Sequence, residues 1–113
     1  MSATPRLNLV LLVAGQAQAE VTLNDLINRI DAFTNITVKN ITTTAPPGSP
    51  SNGDCYYVAS SPSGAWTGKA GQLAAYYDGW IFQPMLPGMI VWDAGAAILK
   101  MWNGTAWHTI TQS

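Results

Sequence analysis

The chain has 113 residues, enough for a single modest core and not for two. Charged residues make up only 10% of it, against about 25% in an ordinary soluble domain, while 48% are hydrophobic. The net charge of -1 leaves no basic stripe to follow a phosphate backbone, which argues against nucleic-acid binding, and the single Cys rules out an internal disulfide.

The N-terminal stretch opens on Arg6 and an apolar run, Leu7 to Ala14, followed by Gly15-Gln16-Ala17-Gln18-Ala19. It shares features with a short secretory signal cleaved after Ala19. The run is short and weakly charged at its front, so the stronger reading is a retained segment that packs on the fold or on a neighbour. It falls far below the ~20 apolar residues a bilayer-spanning helix requires, and no membrane span is expected.

Residues 20–33 carry the only helical period, with Val21, Leu23, Leu26, Ile27, Ile30 and Phe33 mostly along one face. Thr22 is the expected N-cap, with Asp25 as the acidic half of a capping box. A helix this short needs a partner surface to be stable. The β-branched, partly alternating stretch 36–44 predicts a strand. Residues 45–54, with Pro46, Pro47, Pro50, Gly48 and Gly53, predict a rigid exposed connection.

The remainder is a different material. Strands are expected at 55–59, 72–77, 80–84, 89–93, 97–102 and 106–110. Asp78-Gly79 and Asn103-Gly104 tolerate the positive φ of tight hairpin turns. The two turns form a weak repeat: aromatics flank each, at Tyr76 and Trp80 and again at Trp102 and Trp107, poised to pair across the strands. The expected architecture is α+β: an N-terminal arm, helix and strand over 1–44, the connection 45–54, and an aromatic-rich antiparallel β domain of hairpins over 55–113.

Little in the chain points to chemistry. Each of the six carboxylates, Glu20, Asp25, Asp31, Asp54, Asp78 and Asp93, has a structural explanation at a helix, turn or strand end. A hydrolase of cell-surface glycan built on Asp54, Asp78 and Asp93 is the weakest reading, because a glycosidase needs two carboxylates at a set separation across a sugar. Cys55 and His108 are too few for a structural zinc site, and no phosphate-binding loop is present. No catalytic residue, metal site or cofactor is expected, and the chain reads as a non-enzyme. The aromatics are the strongest feature, since they fill cores, anchor interfaces and stack on sugars. One of Tyr76 and Tyr77, which face opposite ways on a strand, and Trp66, in a Gly-rich loop, are expected to be exposed; Trp66, Tyr77 and Trp107 are the candidate glycan contacts.

Several blocks carry a resemblance: Thr4-Pro5-Arg6-Leu7, Ala14-Gly15-Gln16-Ala17-Gln18-Ala19-Glu20-Val21-Thr22 with Asn24, the Pro/Gly loop from Ala45 to Asp54, Gly64-Ala65-Trp66 with Gly68, and Gly79-Trp80 with Phe82 and Pro87-Gly88-Met89. Together they resemble a domain of unknown function found in tail-fibre, spike and host-attachment proteins of tailed bacteriophages and of the gene transfer agents of alphaproteobacteria. The resemblance spans nearly the whole chain, and the Ala-Gly-Gln-Ala-Gln block joined to Glu-Val-Thr is its most specific part.

The resemblance implies a structural virion protein, assembled in the host cytoplasm and exposed on the particle: a small tail-fibre, head-spike or decoration subunit. Its expected partners are copies of itself, as a homo-oligomer and most simply a trimer, other virion proteins, and host surface polysaccharide. Leu9, Leu11, Leu23, Leu26, Ile27, Ile30 and Phe33 are the residues expected to oligomerise or anchor it. The alternative is a free-standing carbohydrate-binding module with no structural role.

Overall fold

The computed structural model describes residues 3–11 and 18–110. Among the described residues there are one α-helix, α1 (Gln18–Phe33), and seven strands: β1 (Thr37–Val38), β2 (Cys55–Tyr57), β3 (Gln72–Tyr76), β4 (Trp80–Pro84), β5 (Ile90–Asp93), β6 (Ile98–Trp102) and β7 (Trp107–Ile110). A 3-10 turn, Gly64–Trp66, interrupts the long loop before β3. The fold is α+β in the coarse sense, mostly β, with one helix and two sheets rich in antiparallel pairs.

The first sheet has the order β1-β5-β6-β7 and the second β2-β3-β4. Adjacent hairpins build most of both, as the turn signals imply. The β3–β4 hairpin sets Tyr76 opposite Trp80, and the β6–β7 hairpin sets Trp102 opposite Trp107. These are the two aromatic pairs of the repeat, with ring centroids 5.2 and 5.3 Å apart. Asp78 takes a positive φ of 55° in the first turn. In the second, Asn103 Oδ1 accepts the N–H groups of Thr105 and Ala106, which closes the loop before β7.

Three expectations need correction. The helix starts at Gln18, so Thr22 lies inside it and is not its N-cap. The strand expected over 36–44 shrinks to Thr37–Val38, because Asn40 Oδ1 accepts the N–H groups of Thr42 and Thr43 and the Thr43 hydroxyl, bending the chain out of the sheet. Finally, the sheets are not built of hairpins alone: β1 pairs with β5 in parallel, Thr37 opposite Trp92 and Val38 opposite Asp93.

The main core lies between the sheets. Val38 and Val91 from the first sheet pack with Cys55, Leu73 and Ala75 from the second, and Ala32, Ile36 and Tyr77 complete the cluster. Residues on both sides of the 45–54 connection therefore share one core. After β1 the chain runs beside β2, where the Lys39 N–H donates to the Cys55 carbonyl at 2.8 Å. A second, smaller cluster forms on the outer face of β2-β3-β4, where Trp66 folds down onto Val58, Ala74, Tyr56, Trp80 and Phe82.

The helix ends where Asn35 adopts φ 52°, the left-handed conformation that stops a helix and that Asn tolerates. Its last carbonyls are capped from the N-terminal arm, since the Arg6 guanidinium donates to the carbonyls of Asp31, Ala32, Thr34 and Asn35. A cation at this end also complements the helix dipole. In return, the Asp31 carboxylate accepts the backbone N–H groups of Arg6 and Leu7.

Candidate functional site

The helix presents two contrasting flanks. Asn28, Asp31 and Ala32, spaced i, i+3 and i+4, share the flank turned to the body, where Asp31 and Ala32 are buried and the Asn28 Oδ1 atom is covered. Leu23, Leu26 and Ile30 form a second row, roughly 160° around the helix from the first at 3.6 residues per turn. These three are 45%, 53% and 45% exposed. An ordinary surface helix does the reverse, burying its apolar stripe and wetting its polar one. Here polar groups, together with Ala32 and Phe33 packed on the core, fasten the helix to its own body, and the Leu23-Leu26-Ile30 row faces away.

The polar fastening centres on Asp31. Burial on its own raises the Asp31 pKa, but hydrogen bonds from Tyr77, Thr4, Leu7 and Arg6 outweigh that and hold the carboxyl below its usual range. Arg29 assists at the edge of β4, where its guanidinium donates to the Phe82 carbonyl at 3.4 Å, and it also pairs with Asp25 one turn back on the exposed side.

Of the residues expected to oligomerise or anchor, the structure leaves Leu23, Leu26 and Ile30 exposed and Ile27, Phe33 and Leu9 partly covered. Leu11 is buried, so it is a core residue of its own chain and not a free anchor. The arm folds back on itself through a bridge between Ala3 and Val10, which leaves Val10 prominently exposed. The Gly15–Ala17 part of the expected processing site lies outside the described residues, and α1 runs through Gln18 and Ala19.

Two of the three candidate glycan contacts are corrected. Trp66 is fully buried, because the outer face of β2-β3-β4 is aromatic and the Gly-rich loop covers it with the indole. Tyr77 is buried as well, its hydroxyl held by Asp31 and its own pKa raised by burial and by that carboxylate. Trp107 is half-covered, with Tyr57 edge-on at 5.2 Å and Trp102 at 5.3 Å.

A second apolar surface was not anticipated. Ile90 and Trp92 alternate outward along β5. The register places Leu99, Met101 and Ile110 on that same outer face. Its one titratable strand residue is His108, whose Nε2 lies 2.8 Å from Asn103 Nδ2. Lys100 projects to the other side, into a 2.9 Å ion pair with Asp93. The sequence does contain the signal, since the outward positions Ile90, Trp92, Leu99 and Met101 are apolar where a half-wet strand alternates to polar residues.

An open cleft of about 400 Å³ lies between the arm and the sheets, lined by Arg6, Asn35, Thr37, Lys39, Asp54 and Cys55 among others. Its charges are already engaged: Arg6 caps the helix carbonyls, and Lys39 Nζ sits 3.5 Å from Asp54 Oδ1. Burial pushes the Cys55 thiol up to about 12, so it stays protonated and unreactive at neutral pH. Among the described residues no group of His, Cys, Asp and Glu is arranged to hold a metal ion, and no helix is long and apolar enough to cross a membrane.

The family model for proteins of unknown function DUF2793 matches residues 23–108, most of the chain. The chain belongs to the DUF2793 family. No curated protein and no solved structure matches it. The DUF2793 match begins at Leu23, the first residue of the exposed helical row, and ends at His108 in β7, so it takes in most of both apolar surfaces.

Proposed function

We propose that this DUF2793 chain is a structural subunit of a tailed-phage or gene-transfer-agent-like particle: a small fibre, spike or decoration protein that works as a homo-oligomer, most simply a trimer, on the particle surface. The observation that carries this reading is the outward apolar row Leu23, Leu26 and Ile30 on a helix held to its body by polar groups and by Ala32 and Phe33. Such a row costs free energy in water and gains it when neighbours cover it. The outer face of the first sheet, with Ile90 and Trp92, gives the subunit a second surface for a particle protein. The low charge suits repeated contact between identical subunits.

Contact with host polysaccharide is not supported by Trp66 and Tyr77, both of which are core residues. The carbohydrate-module alternative loses the same two side chains, and no observation favours it over the structural reading.

The test has two arms. Light scattering on the purified chain is expected to give a homo-oligomer, and labelling of intact particles with an antibody to the chain is expected to decorate their surface. Particles that lack the chain, or a stably folded monomer at all concentrations, would overturn the reading.

A further inference from the structure

The chain holds two Asn-Gly pairs, Asn52-Gly53 and Asn103-Gly104. An asparagine followed by glycine is prone to ring closure, because the glycine nitrogen reaches the side-chain carbonyl with no Cβ in its way. The two pairs sit in opposite chemical settings.

At the first pair the groups are held. The Gly53 N–H, the would-be nucleophile, donates to the Tyr76 carbonyl at 2.8 Å. The Asn52 Nδ2 atom donates to the Asp78 carboxylate at 3.2 Å, an acceptor with no proton to give a departing amine, and Asn52 Oδ1 accepts one N–H, that of Asp78.

At the second pair they are set for reaction. Asn103 Oδ1 accepts the N–H groups of Thr105 and Ala106, each at 2.8 Å, the arrangement that stabilises negative charge developing on a carbonyl oxygen. Those two donors fix which end of the amide is oxygen, so Nδ2 is the atom that faces His108 Nε2 at 2.8 Å. Asn103 and Gly104 are both exposed, and among the described residues the Gly104 N–H donates to no protein group. Nor can the turn shield that amide with a side chain. Gly104 has φ 106°, and a Cβ there would stand 3.3 Å from Pro87 Cγ.

The geometry points to Asn103 as a self-modifying residue that cyclises onto the Gly104 nitrogen, with His108 as proton donor to the departing ammonia. The Gly104 nitrogen gives its proton to solvent and bonds to Asn103 Cγ, while the carbonyl pair moves onto Oδ1. Nδ2, no longer conjugated, becomes a basic amine. His108, protonated from solvent, donates to it from Nε2. The Cγ–Nδ2 bond breaks, its electron pair leaves with ammonia, and the Oδ1 pair restores the carbonyl of a succinimide ring. Water then opens the ring at either carbonyl, giving aspartate or isoaspartate. The iso product adds one backbone carbon to the turn that sets Trp102 against Trp107. This inference is independent of the assembly reading above.

The test uses the full chain, aged at neutral pH and mapped by peptide mass spectrometry with isoaspartate detection. Asn103 is expected to convert about tenfold or more faster than Asn52 in the folded chain. In urea, where only the shared Asn-Gly sequence acts, the two are expected to react at similar rates. His108→Gln is expected to slow Asn103 severalfold in the folded chain and to leave its rate in urea unchanged, with near-ultraviolet dichroism confirming that the fold persists. Equal rates at Asn52 and Asn103 in the folded wild type would overturn the inference. So would a preference for Asn103 that survives in urea, or a folded His108→Gln chain that converts as fast as wild type.

Discussion

The hydroxyl of Tyr77 donates a 2.6 Å hydrogen bond to Oδ2 of Asp31, joining the end of the helix to the turn after β3 across 46 residues of sequence. The same carboxylate accepts the N–H groups of Arg6 and Leu7, so arm, helix and sheet meet at one buried charge. Tyr77→Phe removes one donor and leaves the carboxylate buried. Hydrogen bonds to charged groups contribute about 1.5–3 kcal/mol each, and a loss of that size is expected in urea denaturation. Asp31→Ala is expected to cost more and to speed hydrogen exchange at the Leu7 and Leu9 amides, since the arm loses its hold. Equal stability of Tyr77→Phe and wild type would show that this contact is incidental.

Arg6 is the counterpart of that carboxylate. Its guanidinium spreads over four carbonyls at the helix end, a task that needs a planar fork with several donors. Arg6→Lys keeps the charge and loses the fork, so it is expected to behave more like Arg6→Ala than like wild type. Both are expected to lower stability by about 1–3 kcal/mol, read from thermal or urea midpoints. Full stability in Arg6→Lys would mean that charge alone caps the helix.

The pH dependence follows from four groups, Asp31, Cys55, Tyr57 and Tyr77. The Asp31 pKa is held below its ordinary 3.8, so its contribution is present above that value and is lost as pH falls through the folded pKa. Cys55, Tyr57 and Tyr77 are shifted the other way by burial, from ordinary values of 9.0 for the thiol and 10.0 for the tyrosines. Their contribution is complete below those values and is lost as pH rises, for Cys55 over the window from 9.0 to about 12. Urea midpoints are expected to be level between about pH 5 and 8, to drop on acidification below pH 4, and to drop again above pH 9. Cys55→Ala is expected to narrow the alkaline loss and leave the acid limb in place.

Much of the fold was legible because it is written locally. The helical period, the Asx-Gly turns and their flanking aromatics sit within a few residues of one another, and they place α1 and the hairpins β3–β4 and β6–β7. What escaped is non-local. Nothing near Arg6 indicates that it will cap a helix ending at Phe33, and nothing near Thr37 indicates a parallel partner at Trp92. Trp66 was misplaced for the same reason: a Gly-rich loop suggests exposure until the aromatic sheet face beneath it is known. The helical row was found by its period, yet its outward orientation depends on the distant Asp31–Tyr77 contact.

The ion pair between Lys100 and Asp93 is nearly closed to solvent, with a separation of 2.9 Å and side-chain exposures of 14% and 4%. Asp93 also accepts the N–H groups of Gly95 and Ala96, which shapes the β5–β6 turn. Lys100→Met strands the carboxylate in the interior, and breaking such a pair from one side costs about 3–5 kcal/mol. Asp93→Asn with Lys100→Met is expected to recover part of that loss, because the amide oxygen can keep the turn contacts without a buried charge. A double variant no more stable than Lys100→Met would place the damage in the turn and not in the charge.

Two tryptophans separate core from surface. Trp66 is fully buried, and Trp66→Ala is expected to cost about 3–5 kcal/mol, as large-to-small changes of aromatics in cores do. Trp92 is 39% exposed on the outer face of its sheet, beside Ile90 and opposite Thr37 and Leu99. Trp92→Ala is expected to cost distinctly less in urea denaturation of the isolated chain and, if the chain is the proposed particle subunit, to reduce its incorporation into particles. Trp66→Phe, in contrast, is expected to keep incorporation, since a smaller ring still covers the β2-β3-β4 face. If Trp92→Ala unfolds the subunit as readily as Trp66→Ala does, the outer sheet face is a core of the single chain, and its role in particle contact falls.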